Sequence, residues 1–168
     1  MPQKPARCYT NQKKPPYTRK EYIHGIPPPK ITKFVMGNTK LNAEVVAVLK
    51  AMERGVIRHN ALEAARVIAH KFLSSEIGEQ NFVLIIRKYP HQVLREHKMM
   101  AFAGADRLQE GMRRAFGKPV GVGAVVEPLD ELIEIRGLAQ HTELLKEALR
   151  RASSKLPVRC TIEIRRLK

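Results

Sequence analysis

The sequence predicts an α+β domain with a mixed or antiparallel sheet, an extended basic arm at its N-terminus and a long central loop. Three observations indicate this class: two amphipathic helical patterns, about six strand-like segments, and no regular alternation of strands with helices. A chain of 168 residues is long enough for one domain with a core. We expect an arm over residues 1–30, a single domain over residues 31–168, and a functional loop over residues 98–118.

Two strand-like segments open the domain. Residues 30–36 alternate loosely between apolar and polar side chains and end at Gly37-Asn38, a turn signal, so a short strand is expected there. Residues 41–57 are ambiguous, because their apolar residues fit a helical stripe while their β-branched residues favour a strand. Periodicity alone leaves both alternatives open.

The clearest helix is expected to start near Asn60. Asn60 followed by Glu63 resembles a capping box, and apolar residues then keep to one face until Gly78. His70 lies beside that face, and we expect it to be a surface or partly packed histidine. This segment therefore predicts an amphipathic helix.

The remaining segments alternate between strand and helix patterns. Residues 81–88 read as a buried strand, and residues 93–99 as its hairpin partner, which leads into the loop. Residues 120–127 and 131–136 are strand-like and flank a turn at 128–130. Residues 142–152 predict a second helix with Arg150 and Arg151 in its last turn, and residues 158–166 predict a closing strand.

Positive charge dominates the composition. The chain has 31 Lys and Arg against 16 Asp and Glu, a net charge of +15. Nine of those cations and one acid, Glu21, fall within residues 1–40, so this quarter of the chain carries +8. Such a balance indicates a polyanion partner, above all nucleic acid. A membrane is a weaker alternative, because no apolar run is long enough to span one and no anchored basic helix is visible.

The N-terminal arm combines cations, prolines and aromatic residues. Its prolines, among them Pro27, Pro28 and Pro29, block helix and favour extended backbone. Tyrosines lie between the cations, where they could stack on bases beside phosphate-bound Lys and Arg. We expect RNA binding through this arm and the loop entry, by Arg7, Tyr9, Lys13, Lys14, Tyr17, Arg19, Lys20, Arg95 and Lys98.

Residues 105–126 join cations and glycines with few bulky apolar side chains, so this stretch is expected to lie outside the core. Glycines let the backbone bend closely around a partner. A guanidinium group can donate two hydrogen bonds to one phosphate group. A solvated surface loop without a function is the alternative. The expected contacts of this RNA- or tRNA-proximal loop are the side chains of Arg107, Arg113, Arg114 and Lys118 and the backbone of Gly104, Gly111, Gly117, Gly121 and Gly123.

Nucleotide-binding motifs do not fit this stretch. Gly111 and Gly117 enclose five residues where a Walker loop needs four, and Pro119 stands where that loop needs Ser or Thr. A dinucleotide fingerprint also fails, because Val126 occupies its third glycine position. The glycines therefore do not indicate a nucleotide cofactor.

Catalytic and metal-binding patterns are not visible either. Cys8 and Cys160 lie far apart without a second pair, which argues for free thiols in a reducing compartment, and the histidines never fall at ligand spacing. The start of the chain has no apolar segment typical of a secretory signal. We expect a cytoplasmic protein without catalytic residues, metal or cofactor.

Several motifs resemble those of one protein family. They are Pro5-Ala6-Arg7, Gly25-Ile26-Pro27, Leu62-Glu63-Ala64-Ala65-Arg66, Pro90-His91-Gln92-Val93-Leu94-Arg95, Ala103-Gly104-Ala105-Asp106-Arg107, Gly111-Met112-Arg113 and Ala115-Phe116-Gly117-Lys118. The chain resembles the universal L-sixteen family of large-subunit ribosomal proteins, in its archaeal and eukaryotic branch called L-ten-e. Ending soon after the last strand favours an archaeal-type member.

The resemblance implies a fold and a function. It implies an α/β-hammerhead-type domain, strand structure within residues 41–57, and a structural role in the large ribosomal subunit. The implied partners are large-subunit ribosomal RNA, 5S RNA, neighbouring ribosomal proteins and tRNA. The resemblance also implies that residues 98–118 are directed toward the acceptor arm near the peptidyl transferase centre. Two alternatives stay open: an RNA-modifying or nucleotide-using enzyme, and a free RNA-binding regulator or assembly factor.

Overall fold

Two antiparallel sheets organise the chain in a computed structural model that describes residues 8, 9, 19–97, 112 and 116–167. The strands are β1 (Val35–Gly37), β2 (Val45–Ala51), β3 (Gly55–Arg58), β4 (Phe82–Ile86), β5 (Gln92–Glu96), β6 (Lys118–Val126), β7 (Glu131–Gly137) and β8 (Cys160–Arg166). Five of them form a sheet in the order β1-β4-β7-β2-β8, and three form a second sheet in the order β3-β6-β5. All described pairings are antiparallel, which confirms the predicted fold class.

Two helices cover one face of the five-stranded sheet. Helix α1 (His59–Glu76) and helix α2 (Thr142–Ser153) pack against each other and against the sheet. Their buried leucines meet the inward residues of the strands, and burying each such side chain contributes about 1.5–3 kcal/mol. The largest fully buried side chains of the described residues are Ile31, Leu49, Ile57, Leu62, Leu73, Phe82, Leu84, Leu132, Ile133, Ile135, Leu145 and Leu149.

Strand β2 explains why residues 41–57 looked ambiguous. Ala47 and Leu49 face the helices, while Val46 and Val48 point to the opposite face and are also buried. A strand covered on both faces does not alternate between apolar and polar residues, so its sequence matches a helical stripe by accident. The segment forms two strands, as the family resemblance implied.

Helix α1 ends as predicted but starts differently. The amide N–H groups of Ile77 and Gly78 both donate to the Leu73 carbonyl, and Gly78 has φ +82°, a conformation that favours glycine. The capping-box prediction is wrong, because the residue before the helix is Arg58 and no side chain caps it. Asn60 lies inside the first turn instead.

Strand β5 does not form the predicted hairpin with β4. It pairs with β6 in the three-stranded sheet, whereas β4 lies between β1 and β7 in the five-stranded sheet. Between the strands, the His91 amide donates to the Tyr89 carbonyl at 2.9 Å, beside the buried Pro90. This tight turn moves the chain from one sheet to the other, which local sequence patterns could not show.

The prediction that residues 105–126 lie outside the core is wrong for the second part of the stretch. Val122, Ala124 and Val126 of β6 are at most 3% exposed. Gly121 and Gly123 are strand residues, and a Cβ on Gly123 would lie 3.0 Å from the Ile57 carbonyl oxygen. Gly123 therefore allows two strands to approach closely, and neither glycine bends a loop around a partner.

The two ends of the domain follow the predictions with shifted bounds. The first strand is shorter than the expected residues 30–36, although Ile31 before it is buried. Helix α2 and strand β8 match the predicted segments, with Arg150 and Arg151 in the last turn of α2. Of the described part of the expected arm, Ile23 is 4% exposed, so this side chain packs against the domain.

Candidate nucleic-acid interface

The base of the central loop is the hairpin end of β5 and β6. Glu96 of β5 faces Lys118 of β6, so the chain leaves and re-enters the three-stranded sheet at neighbouring positions. The register shifts between Leu94 and Arg95, where a β-bulge disturbs the ladder. Bulges re-aim side chains, and here Arg95 reaches the returning end of the loop.

Arg95 holds that returning end through several contacts. Its guanidinium donates to the carbonyl oxygens of Phe116, at 3.4 Å from Nε, and of Gly117. The same group lies 4.4 Å from the centre of the Phe116 ring, which is a cation–π contact. Because the planar guanidinium contacts two carbonyls and a ring at once, it fixes the position of the chain at this point. We call Arg95, Phe116 and Gly117 the loop base.

Gly117 is a position where the backbone requires glycine. Its φ is +77°, and a Cβ there would lie 2.4 Å from the Glu96 carbonyl carbon and 2.6 Å from the His97 nitrogen. Both neighbours are backbone atoms, so neither can rotate away as a side chain would. The two sides of the loop base therefore touch without room for a methyl group.

Tyr9 lines a cleft on the same three-stranded sheet. Arg58, His59, Leu94 and Val120 are among the residues that line this cleft. Burial raises the pKa of the Tyr9 hydroxyl, and the Glu96 charge adds to this effect, while a hydrogen bond and the charge of Arg58 oppose it. The tyrosine is thus held beside the loop base, at the point where the N-terminal residues meet the domain.

His59 joins a second N-terminal residue to this cleft. Its Nδ1 accepts a hydrogen bond from the Lys30 backbone N–H at 3.0 Å, so the neutral ring carries its proton on Nε2, near Gly121. Burial lowers the His59 pKa, and the positive charges of Lys30 and Arg58 lower it further. A neutral His59 therefore secures the segment that enters β1.

Many described cations before β2 have no carboxylate partner. Within the part of the chain that the structure describes, no ion pair includes these residues or Lys118. All of them are exposed, and the neighbouring Tyr22 side chain is 72% exposed as well. Their charge therefore faces solvent without local compensation. We call this set the N-terminal cations: Arg19, Lys20, Lys30, Lys33 and Lys40.

Cations on the outer face of the five-stranded sheet, opposite the helices, are neutralised instead. Glu134 is 3% exposed and pairs with both Arg87 and Arg136. On the neighbouring strands, Glu163 pairs with Lys50 at 2.5 Å and with Arg165 at 2.7 Å. Hydrogen bonds from Arg165 and Lys50 lower the Glu163 pKa to about 2. We call this network the outer sheet face: Lys50, Arg87, Glu131, Glu134, Arg136, Glu163 and Arg165.

Comparison with known proteins decides the family. The family model described as ribosomal protein L16p/L10e matches residues 12–163, which is most of the chain. The chain belongs to the L16p/L10e family of ribosomal proteins. The family is not enzymatic, so the enzyme alternative is set aside.

Archaeal relatives resemble this L16p/L10e chain along its full length. The large ribosomal subunit protein uL16 of Hyperthermus butylicus is 60% identical over 173 residues, covering 100% of this chain and 96% of the relative. The protein of the same name from Staphylothermus marinus is 60% identical over 168 residues, covering 100% and 97%. That of Metallosphaera sedula is 54% identical over 170 residues, with the same coverage. The chain is therefore an archaeal-type member of the large-subunit family.

The structure brings together some of the residues that were predicted to bind RNA. Arg95 and Lys118 lie in neighbouring strands of the three-stranded sheet, with Gly117 directly before Lys118, and Tyr9 lines the cleft on that sheet. Arg19 and Lys20 lie in or beside a short 3-10 turn (Lys20–Tyr22). The other predicted residues fall outside the described part of the chain: Arg7, Lys13, Lys14, Tyr17, Lys98, Gly104, Arg107, Gly111, Arg113 and Arg114.

Sequence reasoning missed Arg58 and His59, which line the Tyr9 cleft. Neither belongs to a motif, and only the pairing of β3 with β6 brings them to the cleft.

Among the described residues, no group of three His, Cys, Asp or Glu could hold a metal ion, and no helix is both long and apolar enough to cross a membrane. Burial, assisted by the Glu53 charge, raises the Cys160 pKa to about 11, which keeps this thiol protonated at neutral pH.

Proposed function

We propose that the protein binds large-subunit ribosomal RNA through its N-terminal cations and arm, and helps to position aminoacyl-tRNA near the peptidyl transferase centre through its central loop. The observation that carries this proposal is the absence of carboxylate partners for the N-terminal cations within the described chain. Such cations can exchange counterions for RNA phosphates without first breaking an internal ion pair.

The anchored loop base supports the second half of the proposal. A loop that positions a tRNA stem must transmit a fixed geometry from the domain, since a displacement of about 1 Å at a reacting centre can cost about 100-fold in rate. Arg95 and Gly117 supply this, because they fix the returning strand at the point where the loop joins β6. The tip of the loop, including Arg113 and Arg114, would then meet RNA or tRNA.

Tyr9 brings the arm and the loop to the same sheet. Tyr9 lines the same cleft as Leu94 and Val120, which are strand residues close to the loop base. We therefore assign the predicted residues from Arg7 to Lys20 to ribosomal RNA, and Arg107, Arg113, Arg114 and Lys118 to the tRNA-proximal side. Both sets act in the large ribosomal subunit of the cytoplasm, with 5S RNA as a further proposed partner.

Sedimentation tests the first half of the proposal. A structural constituent should remain with the large-subunit peak at one copy per subunit after a high-salt wash, whereas a free regulator or assembly factor would be removed. Variants that lack the N-terminal cations should compete poorly with the wild-type chain for the subunit. Equal incorporation of these variants would contradict the proposal.

An Arg113→Ala variant tests the second half. It should slow tRNA accommodation on reconstituted ribosomes while leaving the melting temperature nearly unchanged, because the proposed contact is with tRNA and not with the domain. A Lys146→Ala variant in helix α2 provides a surface control. A large loss of stability in Arg113→Ala would show that this residue packs against the domain instead.

A further inference from the structure

Two turns lie together at the end of β6 that is remote from the loop base. The turn between β2 and β3 contains Met52, and the turn between β6 and β7 contains Leu129. The Leu129 amide donates to the Ala51 carbonyl at 2.7 Å, and the Ala51 amide donates to the Asp130 carbonyl at 2.9 Å. These bonds hold the two turns side by side as one surface.

Leu129 is strained and exposed at the same time. Its φ of +72° makes it the one non-glycine residue with positive φ in the described chain. The Asp130 amide donates to the Glu127 carbonyl at 3.2 Å, and Pro128 precedes Leu129, which is the pattern of a type II turn that favours Gly or Asn at this place. The leucine side chain is 73% exposed, so the domain gains little packing from it.

Met52 adds a second apolar side chain, and the charges around both residues are balanced. Met52 is 60% exposed. Arg54 pairs with Glu127 at 3.4 Å, and Lys88 pairs with Asp130 at 2.6 Å. Burial acts to raise the Asp130 pKa, but hydrogen bonds from Lys88 and the Glu127 amide outweigh it and lower this pKa. Asp130 is therefore ionised at neutral pH, and the surface offers no excess of cations to a polyanion.

The distance along β6 separates this surface from the loop base. The strand has nine residues from Lys118 to Val126. At about 3.3 Å per residue, its two ends lie roughly 26 Å apart. A partner that contacts Leu129 therefore meets a different part of the molecule from a partner that contacts the loop.

We propose that Met52 and Leu129 form a docking surface for another protein of the large ribosomal subunit. A strained turn that exposes a large apolar side chain stabilises an assembly when that side chain enters an apolar pocket of the partner. The paired charges around it favour a protein surface over RNA, because they offer little net attraction for phosphate. This inference depends on membership in the large-subunit family and is independent of the role proposed for the central loop.

Photo-crosslinking tests the chemistry of the partner directly. A photoreactive amino acid at position 129 of the full chain should form a crosslink to one protein after assembly into large subunits. The same probe at Val67, which is 45% exposed on helix α1, provides a control for random capture. A crosslink from position 129 to ribosomal RNA, or no crosslink at this position, would overturn the proposal.

A Leu129→Gly variant separates docking from folding. Glycine removes the backbone strain, so the melting temperature should be unchanged or higher. Incorporation into large subunits, in competition with the wild-type chain, should fall roughly tenfold, the loss expected when one leucine loses its buried contact. Val67→Ser is the control, and an equal loss in this variant, or full incorporation of Leu129→Gly, would contradict the assignment.

Discussion

The two sheets of this L16p/L10e protein use their cations in opposite ways. On the outer sheet face, Arg87 and Arg136 are both bound to the buried Glu134. On the three-stranded sheet, Arg95 binds backbone carbonyls of the loop base, while Lys118 has no carboxylate partner among the described residues. The difference teaches that the number of cations alone does not identify the cations available to an RNA partner. The contacts that each cation makes within the fold have to be considered as well.

The distribution of charge along the chain leads to the same conclusion. Residues 1–40 carry nine cations and one acid, so residues 41–168 carry 22 of the 31 cations and 15 of the 16 acids. The larger part therefore still has a net charge of 22 − 15 = +7, nearly as large as the +8 of the first part. By net charge alone, the two parts would be almost equally good candidates for binding RNA. They differ because many cations of the larger part are held in the ion pairs of the outer sheet face.

The largest effect is expected from Gly117→Ala. A methyl group at this position meets the Glu96 backbone at 2.4 Å and also requires a disfavoured φ, so we expect a loss on the order of 3 kcal/mol in the free energy of unfolding. Gly25→Ala is a matched control, since Gly25 has φ +71° but no atom within 4 Å of its Cβ position. It should cost about 1 kcal/mol. Chemical denaturation measures both, and equal losses would show that the loop base is not tightly closed.

Glu134→Gln would convert the outer sheet face into a region with uncompensated cations. Removing the shared carboxylate leaves Arg87 and Arg136 without their partner, so we expect a loss of about 2 kcal/mol, reduced from a fully buried case because both arginines are over 40% exposed. The same variant should bind RNA more tightly and with a steeper salt dependence. A variant with unchanged RNA affinity would break the proposed contrast between the sheets.

Arg95→Lys should affect function more than stability. Lysine cannot reach two carbonyls and a ring with one planar group, so we expect a loss of about 1 kcal/mol and slower tRNA accommodation. Arg151→Lys is the control, because Arg151 lies 4.0 Å from the Phe72 ring and also binds Glu147 within the helical layer. It should lose similar stability without slowing accommodation. Equal kinetic effects would mean that the loop base has no special positioning role.

The smallest effect concerns pH and the outer sheet face. The folded-state pKa of Glu163 is about 2, below its ordinary value of 4.5, so the unfolded chain binds this proton more readily. The stability that Glu163 contributes is therefore present above about pH 4.5 and is lost as pH falls toward 2. Thermal unfolding between these values should show a smaller decline for Glu163→Gln than for the wild type. Parallel curves would contradict the proposed ion pairs.

Local patterns predicted most elements of the fold but not their partners. Gly78 marks the end of α1 because its effect is local, and the apolar face of α2 follows from its own periodicity. The pairing of β5 with β6 depends on a turn at Tyr89 that transfers the chain between sheets, which no neighbouring residue reveals. The glycines of β6 led to the wrong prediction that all of residues 105–126 lie outside the core. A glycine in a close contact between strands and a glycine in a flexible loop cannot be distinguished by sequence alone.

The candidate site shows the same division. Lys20 could be assigned to RNA from the charge of its segment, and its solvent-exposed position agrees with that expectation. Arg95 was predicted to bind ribosomal RNA on the same grounds, yet in the described chain its guanidinium binds the carbonyls and the ring of the loop base. Contact with RNA stays a prediction for both residues. Some cations bind carboxylates or carbonyls within the domain itself. Which cations do so depends on contacts between strands, and composition does not reveal these contacts.

The most direct test of the account compares the salt dependence of RNA binding for two double variants. Lys20→Gln with Lys33→Gln removes two N-terminal cations, and Lys146→Gln with Arg150→Gln removes two cations that have carboxylate neighbours in α2. Binding to a large-subunit ribosomal RNA fragment is measured across a series of salt concentrations. The account predicts that the first variant reduces the slope of log affinity against log salt by about 1.4–1.8 and that the second leaves it unchanged. Equal reductions in both variants would contradict it.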